Sequence, residues 1–216
     1  MRTVSDRYLW LTMLLLGCYH GINPGMGWLF AVALGLQEKS AKAVIRAIAP
    51  ITLGHVLSVV IVVVLTLAAA AWFSQTTVHR TAAGLLLIFG LYRLVRSRHP
   101  RWVGMRVGFW GLSLWGFLMA SAHGAGLMLA PFVTAMPVNH HDGMTMSMPP
   151  APPAPNYATG ALFIAIHTLG YLVTMMVVAL VVYWKLGVSF LRSAWINVDL
   201  VWAVALIAVG LIALFI

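Results

Sequence analysis

Four histidines stand inside strongly apolar stretches of the sequence, at positions His20, His55, His123 and His167. An ionisable side chain at bilayer depth is costly, and it is tolerated where it faces protein or a cavity. Neutral imidazole is a common ligand of zinc, copper, nickel and iron, so four rings from four helices could close a tetrahedral site or form successive stations along a path. The alternative for each histidine is a hydrogen bond to a neighbouring carbonyl or hydroxyl.

His20 lies next to a segment whose glycine and proline residues predict a break in the helix. Residues 17–36 read GCYHGINPGMGWLFAVALGL, with Pro24 among closely spaced glycines. Broken helix at membrane depth is tolerated where its backbone is covered by protein or lines a cavity. Met26 offers a soft thioether in the same segment, although methionine is also an ordinary filler of irregular gaps. We therefore predict a site at this break, with His20 and Met26 among its ligands.

A second group of metal-binding side chains lies in a polar, proline-rich segment, residues 137–156. Its candidate ligands are His140, His141, Met144, Met146 and Met148. Thioether and imidazole together suit copper best, Cu(I) above all. The composition predicts an extended, solvated loop that could collect or release an ion without a rigid site. The alternative is an ordinary linker that binds nothing.

The composition is that of an integral membrane protein. Hydrophobic residues make up 62% of the 216 positions and charged residues 8%, and the four acidic residues are too few for a water-facing surface. The formal net charge of +9 comes from positive residues in short loops between apolar runs, where they act as topology signals against anionic lipid. We therefore expect the lipid bilayer, and not nucleic acid, as a partner. The single cysteine, Cys18, excludes an internal disulfide or dithiol relay.

The hydropathy pattern predicts an all-α polytopic membrane bundle of about six transmembrane helices, forming one domain over residues 1–216. The predicted spans are Tyr8–Leu36, Ala47–Phe73, Thr81–Val95, Gly108–Met136, Tyr157–Trp184 and Ala194–Ile216. The first is long for one crossing, in keeping with a break, and the third is short enough to begin within the preceding turn. Three spans per half would give two halves of inverted topology, an arrangement in which transporters build a midplane site. A short internal likeness pairs His20-Gly21 with His123-Gly124, and His55 with His167.

Lysine and arginine counts predict the orientation of the bundle. If the segments after the first, third and fifth spans face the cytoplasm, that side holds Lys39, Lys42, Arg46, Arg93, Arg96, Arg98, Arg101, Arg106, Lys185 and Arg192. The other side holds only Arg2, Arg7 and Arg80. This excess predicts that both termini and the 137–156 loop lie on the external side of a bacterial cytoplasmic membrane, the inner membrane.

Tryptophans mark the predicted ends of the spans. They are Trp10, Trp28, Trp72, Trp102, Trp110, Trp115, Trp184, Trp195 and Trp202. Most fall where an apolar run meets a polar one, as residues of an interfacial aromatic belt do. We therefore expect them to anchor the bundle in the membrane and to take no part in the site.

One pair of motifs carries a resemblance to known transporters. His20-Gly21-Ile22-Asn23-Pro24-Gly25-Met26, followed by Leu53-Gly54-His55-Val56-Leu57-Ser58, resembles the nickel/cobalt exporter (NicO-like) family of the LysE-type transporter superfamily, and more loosely its relatives described as urease-accessory or sulfite-exporter membrane proteins. Those families pair a histidine-and-proline motif in an early span with a histidine in the next, so the resemblance implies metal-ion transport. Such motifs usually carry a further histidine or an acid after the Pro-Gly, where this chain has Gly25 and Met26. That departure favours a softer ion than Ni(II) or Co(II), or a loss of transport.

These features predict a small transporter or metal-handling membrane protein for a transition-metal ion, with copper the best fit. The four intramembrane histidines and Met26 would line the path, and a periplasmic metal carrier or other membrane subunits would be its partners. One alternative is a protein that binds haem b, because histidines on different spans beside glycines can provide paired axial ligands. Another is a noncatalytic accessory or scaffold subunit of a larger membrane complex. The sequence has no hydrolase triad, no Walker-type phosphate loop and too few carboxylates for acid/base pairs, so we expect no enzyme.

Overall fold

The computed structural model describes residues 2–95, 108–134, 157–186 and 198–215, with side chains for 8–95, 108–134, 157–185 and 200–215. Every regular element in these ranges is a helix, which confirms the all-α prediction. The α-helices are α1 (Arg2–Ile22), α2 (Trp28–Gln37), α3 (Ala41–Trp72), α4 (Gln75–Val95), α5 (Phe109–Ala122), α6 (Ala125–Thr134), α7 (Tyr157–Val181) and α8 (Val198–Phe215). A single 3-10 turn, Pro24–Met26, joins α1 to α2, and a π-helical turn, Val182–Leu186, extends α7.

The helices have the length and apolarity of a membrane bundle. Three of them can cross a bilayer alone: α3, α4, and α7 with its π-helical turn. Helices α5 and α6 together form a fourth candidate span, bent by 57° at a short break. The described apolar parts of the first and sixth predicted spans are shorter helices, Tyr8–Ile22, Trp28–Gln37 and Leu200–Phe215. The chain is therefore an integral membrane protein of the polytopic helical class.

The predicted break in the first span is present. Asn23 has an extended backbone, and its side-chain Oδ1 accepts a hydrogen bond from the Gly25 N–H at 2.9 Å. Gly27 then adopts φ +116°, a left-handed conformation that glycine tolerates at little cost. Two further bonds involve carbonyls of this segment: the Trp28 indole N–H donates to the Ile22 carbonyl at 3.0 Å, and the Tyr171 hydroxyl donates to the Met26 carbonyl at 3.1 Å. The broken backbone is thus covered by protein, as its depth requires.

A second break, in the fourth span, was not predicted. The sequence predicted one continuous helix from Gly108, but α5 ends at Ala122 and α6 begins at Ala125. Gly124 between them has φ +68°, which places it in the left-handed region. The sequence signal is weaker than in the first span because no proline stands at the break.

Two helices start before the apolar cores of their predicted spans. Helix α3 begins at Ala41 rather than Ala47, because its first turns carry Lys42 and Arg46 and resemble a polar loop in a hydropathy pattern. Helix α4 begins at Gln75, within the turn before Thr81, as the short third span allowed. Ser74 caps it, since the Ser74 hydroxyl accepts the Thr77 backbone N–H at 3.1 Å. Both helices extend beyond their apolar cores. A helix boundary is therefore not the same as a hydropathy boundary.

The helices pair as two related three-helix halves would. The most extensive contacts join α1 to α7, α3 to α5, and α4 to α8. In two related halves, the first span corresponds to the fourth, the second to the fifth and the third to the sixth. Exchanging the corresponding spans turns the α1–α7 contact into the α3–α5 contact, and it leaves the α4–α8 contact unchanged. The pairing pattern agrees with the two-half arrangement predicted from the sequence.

Glycines allow the paired helices to approach closely. A Cβ on Gly17 of α1 would overlap the backbone carbonyl of His167, and one on Gly21 would lie 2.6 Å from the carbonyl oxygen of Tyr171. At the α3–α5 contact, a Cβ on Gly54 of α3 would overlap the carbonyl of Ser113 on α5. Small residues at such positions are typical of helix packing in membranes, where van der Waals contact drives association. These glycines set the distance between helices that carry the predicted histidines.

Candidate functional site

Three of the four predicted histidines meet in the interior of the bundle. His20 comes from α1, His55 from α3 and His167 from α7, and each side chain is fully buried. The ring centroids lie 4.9 Å apart for His20 and His167, 5.5 Å for His55 and His167, and 5.8 Å for His20 and His55. We call these three side chains the histidine cluster. Three separate spans therefore contribute one imidazole each to a common point.

Two nitrogens of the histidine cluster already stand at a ligand-like separation. The Nε2 atoms of His55 and His167 are 3.4 Å apart, and their rings are nearly parallel, with 12° between planes. Two nitrogens bound at 2.0–2.1 Å to one tetrahedral metal ion stand about 3.4 Å apart. The same separation also permits a long hydrogen bond between one protonated and one unprotonated nitrogen. The pair can thus share either a cation or a proton.

His20 presents one nitrogen to the histidine cluster and commits the other to its own helix. Its Nδ1–H donates to the carbonyl of Leu16, one turn earlier, at 2.7 Å. A carbonyl only accepts, so this bond fixes the tautomer and leaves Nε2 with a lone pair. His20 Nε2 is buried and has no hydrogen-bond partner among the described residues, and the same holds for His55 Nδ1. An unpaired buried nitrogen is costly, and a ligand that bound it would offset that cost.

His123 has the same local bond but different neighbours. It occupies the turn between α5 and α6, and its Nδ1–H donates to the Met119 carbonyl, one turn earlier, at 2.7 Å. A Cβ on Gly25, in the break of the first span, would lie 3.5 Å from His123 Nε2. The side chain is buried, and its ring centroid lies 5.1 Å from that of Trp202. The structure thus assembles three of the predicted histidines as a cluster and sets the fourth beside Trp202.

Aromatic side chains that the sequence did not assign to the site surround these rings. Tyr171 stacks on His55 with centroids 3.9 Å apart and planes at 9°. Trp202 on α8 contacts His20 with centroids 4.7 Å apart. Tyr171 follows His167 by one helical turn and so shares its face, which is a signal that could have identified it. Nothing in the sequence marks Trp202.

The prediction that tryptophans act only as interfacial anchors is wrong for Trp202. Its side chain is 1% exposed, and its indole N–H donates to the backbone carbonyl of His123 at 2.8 Å. Trp28 is also buried, with its indole bonded at the first break, whereas Trp72, Trp110 and Trp184 fit the prediction and stand exposed near helix ends. An interior indole with a satisfied N–H is well suited to packing beside polar groups. Trp202 therefore packs in the interior beside the predicted histidines and does not anchor the bundle at an interface.

The remaining predicted ligands divide into one that is described and five that are not. Met26 is buried at the break, where its own carbonyl accepts the Tyr171 hydroxyl. The loop ligands lie outside the described residues: His140, His141, Met144, Met146 and Met148. Their role stays a prediction.

The described side chains contain no ready-made metal site. No group of three or more His, Cys, Asp or Glu side chains within them is already arranged to hold a metal ion. Metal binding by the histidine cluster therefore requires at least one ring to turn until its nitrogen faces the pair formed by His55 and His167. The only carboxylate among the described side chains is Glu38, which is exposed and ion-paired with Arg46 at 2.8 Å. The ligands within the bundle are thus uncharged, soft or borderline donors.

Comparison with known proteins adds no family to this description. No protein-family model matches the chain. No curated protein and no solved structure gives a significant match either. The site's own residues are therefore the basis for a function.

Proposed function

We propose that this protein transports a soft transition-metal ion, with copper as Cu(I) the best fit, through a site formed by His20, His55 and His167. The observation that carries the proposal is the convergence of these three imidazoles, from three separate spans, at one buried point. Ionisable side chains in membrane helices commonly mark substrate or ion pathways. The Nε2 atoms of the three rings are the donors that a cation would engage, and that of His20 has no hydrogen-bond partner among the described residues.

The uncharged ligand set supports a monovalent ion over a divalent one. An ion that enters a low-dielectric interior loses hydration, and the loss grows steeply with its charge. Carboxylates usually compensate a divalent ion, and the described part of the bundle offers only the exposed, paired Glu38. Imidazole and thioether suit Cu(I), so the buried Met26 is a suitable further ligand.

The helix breaks support a cation in a second way. His20 lies in the last turn of α1, and His123 immediately follows α5, so both lie at the carboxyl ends of interrupted helices. Unpaired carbonyls give such ends a negative partial charge, which favours a nearby cation. Transporters use the ends of broken helices in this way to bind coupling ions.

The remaining sequence features fit the same proposal. The resemblance of 20–26 and 53–58 to nickel/cobalt exporters supports transport of a metal, and Met26 supports a softer one. The lysine and arginine asymmetry supports a bacterial cytoplasmic membrane with the termini and the 137–156 loop outside. In this arrangement the loop ligands would collect the ion or pass it to a periplasmic carrier.

The test is metal binding by the purified full chain. The protein is incubated with Cu(I) under reducing conditions, desalted and subjected to elemental analysis. His20→Asn is the most informative variant, because an asparagine amide can still donate to the Leu16 carbonyl while the Nε2 ligand is lost. We expect bound copper in the wild-type protein, loss of it in His20→Asn, and similar thermal unfolding of both.

The loop is tested separately. Deletion of residues 139–148 should lower the copper content but leave one ion at the histidine cluster. Copper bound equally by the wild-type protein and His20→Asn would contradict the proposed site. Wild-type protein that binds no copper would refute the proposed function.

The accessory-subunit alternative has one observation in its favour. His20 and His123 each donate to a carbonyl of their own helix, as purely structural histidines do. That alternative predicts no bound metal and stoichiometric co-purification of a partner subunit. The close ring packing around His55 argues against haem b, because a macrocycle needs an open slot between its axial ligands. An absorbance spectrum tests this directly.

A further inference from the structure

Trp202 contacts the two histidines that lie at the helix breaks. Its ring centroid is 4.7 Å from that of His20 and 5.1 Å from that of His123, with interplanar angles of 83° and 82°. It comes from α8, which packs mainly on α4 and belongs to neither broken span. One buried side chain from a third element therefore touches a histidine of each half.

The two histidines have the same backbone hydrogen bond and the same place at a helix break. Each donates through Nδ1 to a carbonyl one turn earlier at 2.7 Å, and each is followed by a glycine at the end of an interrupted helix. Their Nε2 atoms are consequently of the same chemical type. Two positions with the same tautomer, on either side of Trp202, are suited to be successive stations for one ion.

Specific bonds hold the indole in place. Its N–H donates to the His123 carbonyl at 2.8 Å, and its ring stacks on Tyr19 with centroids 5.1 Å apart and planes at 9°. The Tyr19 hydroxyl in turn donates to the carbonyl of Val201 at 3.1 Å. Rotation of the Trp202 side chain would break the first bond and disrupt the stack. The indole can therefore occupy a defined closed position.

We propose that Trp202 is the gate between the His20 and His123 stations. This inference rests on the proposed function and adds to it the residue that controls passage. A soft cation leaving the histidine cluster must move the indole aside, while the aromatic face attracts the passing charge. The gate controls the rate of transport and leaves binding at the cluster unchanged.

The test compares Trp202→Phe with Trp115→Phe. Phenylalanine keeps an aromatic ring at position 202 but loses the bond to the His123 carbonyl. Trp115 is a matched control because its buried indole nitrogen has no hydrogen-bond partner among the described residues and its ring contacts Phe30, with centroids 4.8 Å apart. Cu(I) content is measured by elemental analysis, and Cu(I) flux is measured in proteoliposomes with a chelator dye inside.

We expect Trp202→Phe to bind as much copper as the wild-type protein and to transport it faster. The net contribution of one hydrogen bond corresponds to roughly a fivefold change in the closed-to-open equilibrium, so flux should rise about fivefold. Trp115→Phe should match the wild-type protein in both measurements.

Three results would overturn the gate. Equal flux in Trp202→Phe and Trp115→Phe would show that the indole only caps the end of α5. Loss of copper from Trp202→Phe, with its thermal unfolding unchanged, would make Trp202 part of the binding site rather than a gate. A wild-type protein with neither binding nor flux would refute the proposed function and the gate together, whereas the first two results, obtained with a wild-type protein that transports copper, would refute the gate alone.

Discussion

A single methyl group should test whether helix packing holds the histidine cluster together. Gly17 on α1 lies against the backbone carbonyl of His167, and a Cβ there would overlap it. Gly84 on α4 is the opposite case, since no described atom beyond the backbone of its own helical turns lies within 4 Å of the position its Cβ would take. Gly17→Ala and Gly84→Ala are the same chemical change in two helices. They differ only in what the new methyl group meets.

The expected difference follows from two effects. Alanine is about 1 kcal/mol better than glycine within a helix, and both variants gain this. Only Gly17→Ala must also push apart α1 and α7 at a backbone contact that no side-chain rotation can relieve, and such overpacking costs about 1–3 kcal/mol. We therefore expect Gly84→Ala to be the more stable variant by about 2 kcal/mol, or about 4–8 °C in melting temperature for a chain of this length.

The assay is thermal unfolding of the two variants and the wild-type protein in one detergent, with and without Cu(I). Gly17→Ala should also bind copper more weakly, because α1 carries His20 across the same interface that the methyl group opens. Equal melting temperatures for the two variants would refute the close approach of α1 and α7. If Gly17→Ala is destabilised but retains full copper affinity, the close packing of α1 on α7 still explains the loss of stability. The histidine cluster is then refuted as the copper site.

Three further predictions concern other parts of the molecule. His79→Ala should destabilise the protein by roughly 2 kcal/mol, because the ring can donate Nε2–H to the Ala213 carbonyl and accept at Nδ1 from the Thr134 hydroxyl, on two other helices; unchanged thermal unfolding would contradict this. Glu38→Gln should change stability by less than about 1 kcal/mol, because the bridge to Arg46 is exposed and screened, and a larger loss that persists in high salt would contradict this estimate. Bound copper should be lost as the pH falls below about 6.5, the ordinary pKa of imidazole, because protons then compete for the ligand nitrogens. Elemental analysis after desalting over a pH series measures this, and full retention at low pH would mean that the ligands are not histidines.

The sequence predicted the parts of the site that depend on residue type. Glycine and proline around Pro24 predict a break because they cannot continue a helix, and the structure has a break there. Histidines in apolar spans predict burial because their exposure to lipid is costly, and all four are buried. Both inferences need only local chemistry.

The sequence did not predict the parts that depend on packing. Trp202 is no more distinctive in sequence than Trp184, yet one is buried against two histidines and the other is exposed. In a membrane span both faces of a helix are apolar, so periodicity does not separate the lipid-facing face from the interior one. The 55–167 pairing likewise depends on how two distant helices meet. Such contacts follow from the three-dimensional arrangement alone.

The covered break in the first span has a mechanical consequence. A broken membrane helix can act as a free hinge, but here the Met26 carbonyl is bonded to Tyr171 on α7 and the Ile22 carbonyl is bonded to Trp28 at the start of α2. Because Tyr171 also stacks on His55, the first span, α7 and α3 are all connected at this break. Straightening the first span would have to break these hydrogen bonds or move α3 and α7 with it. The break is therefore a rigid kink rather than a flexible hinge.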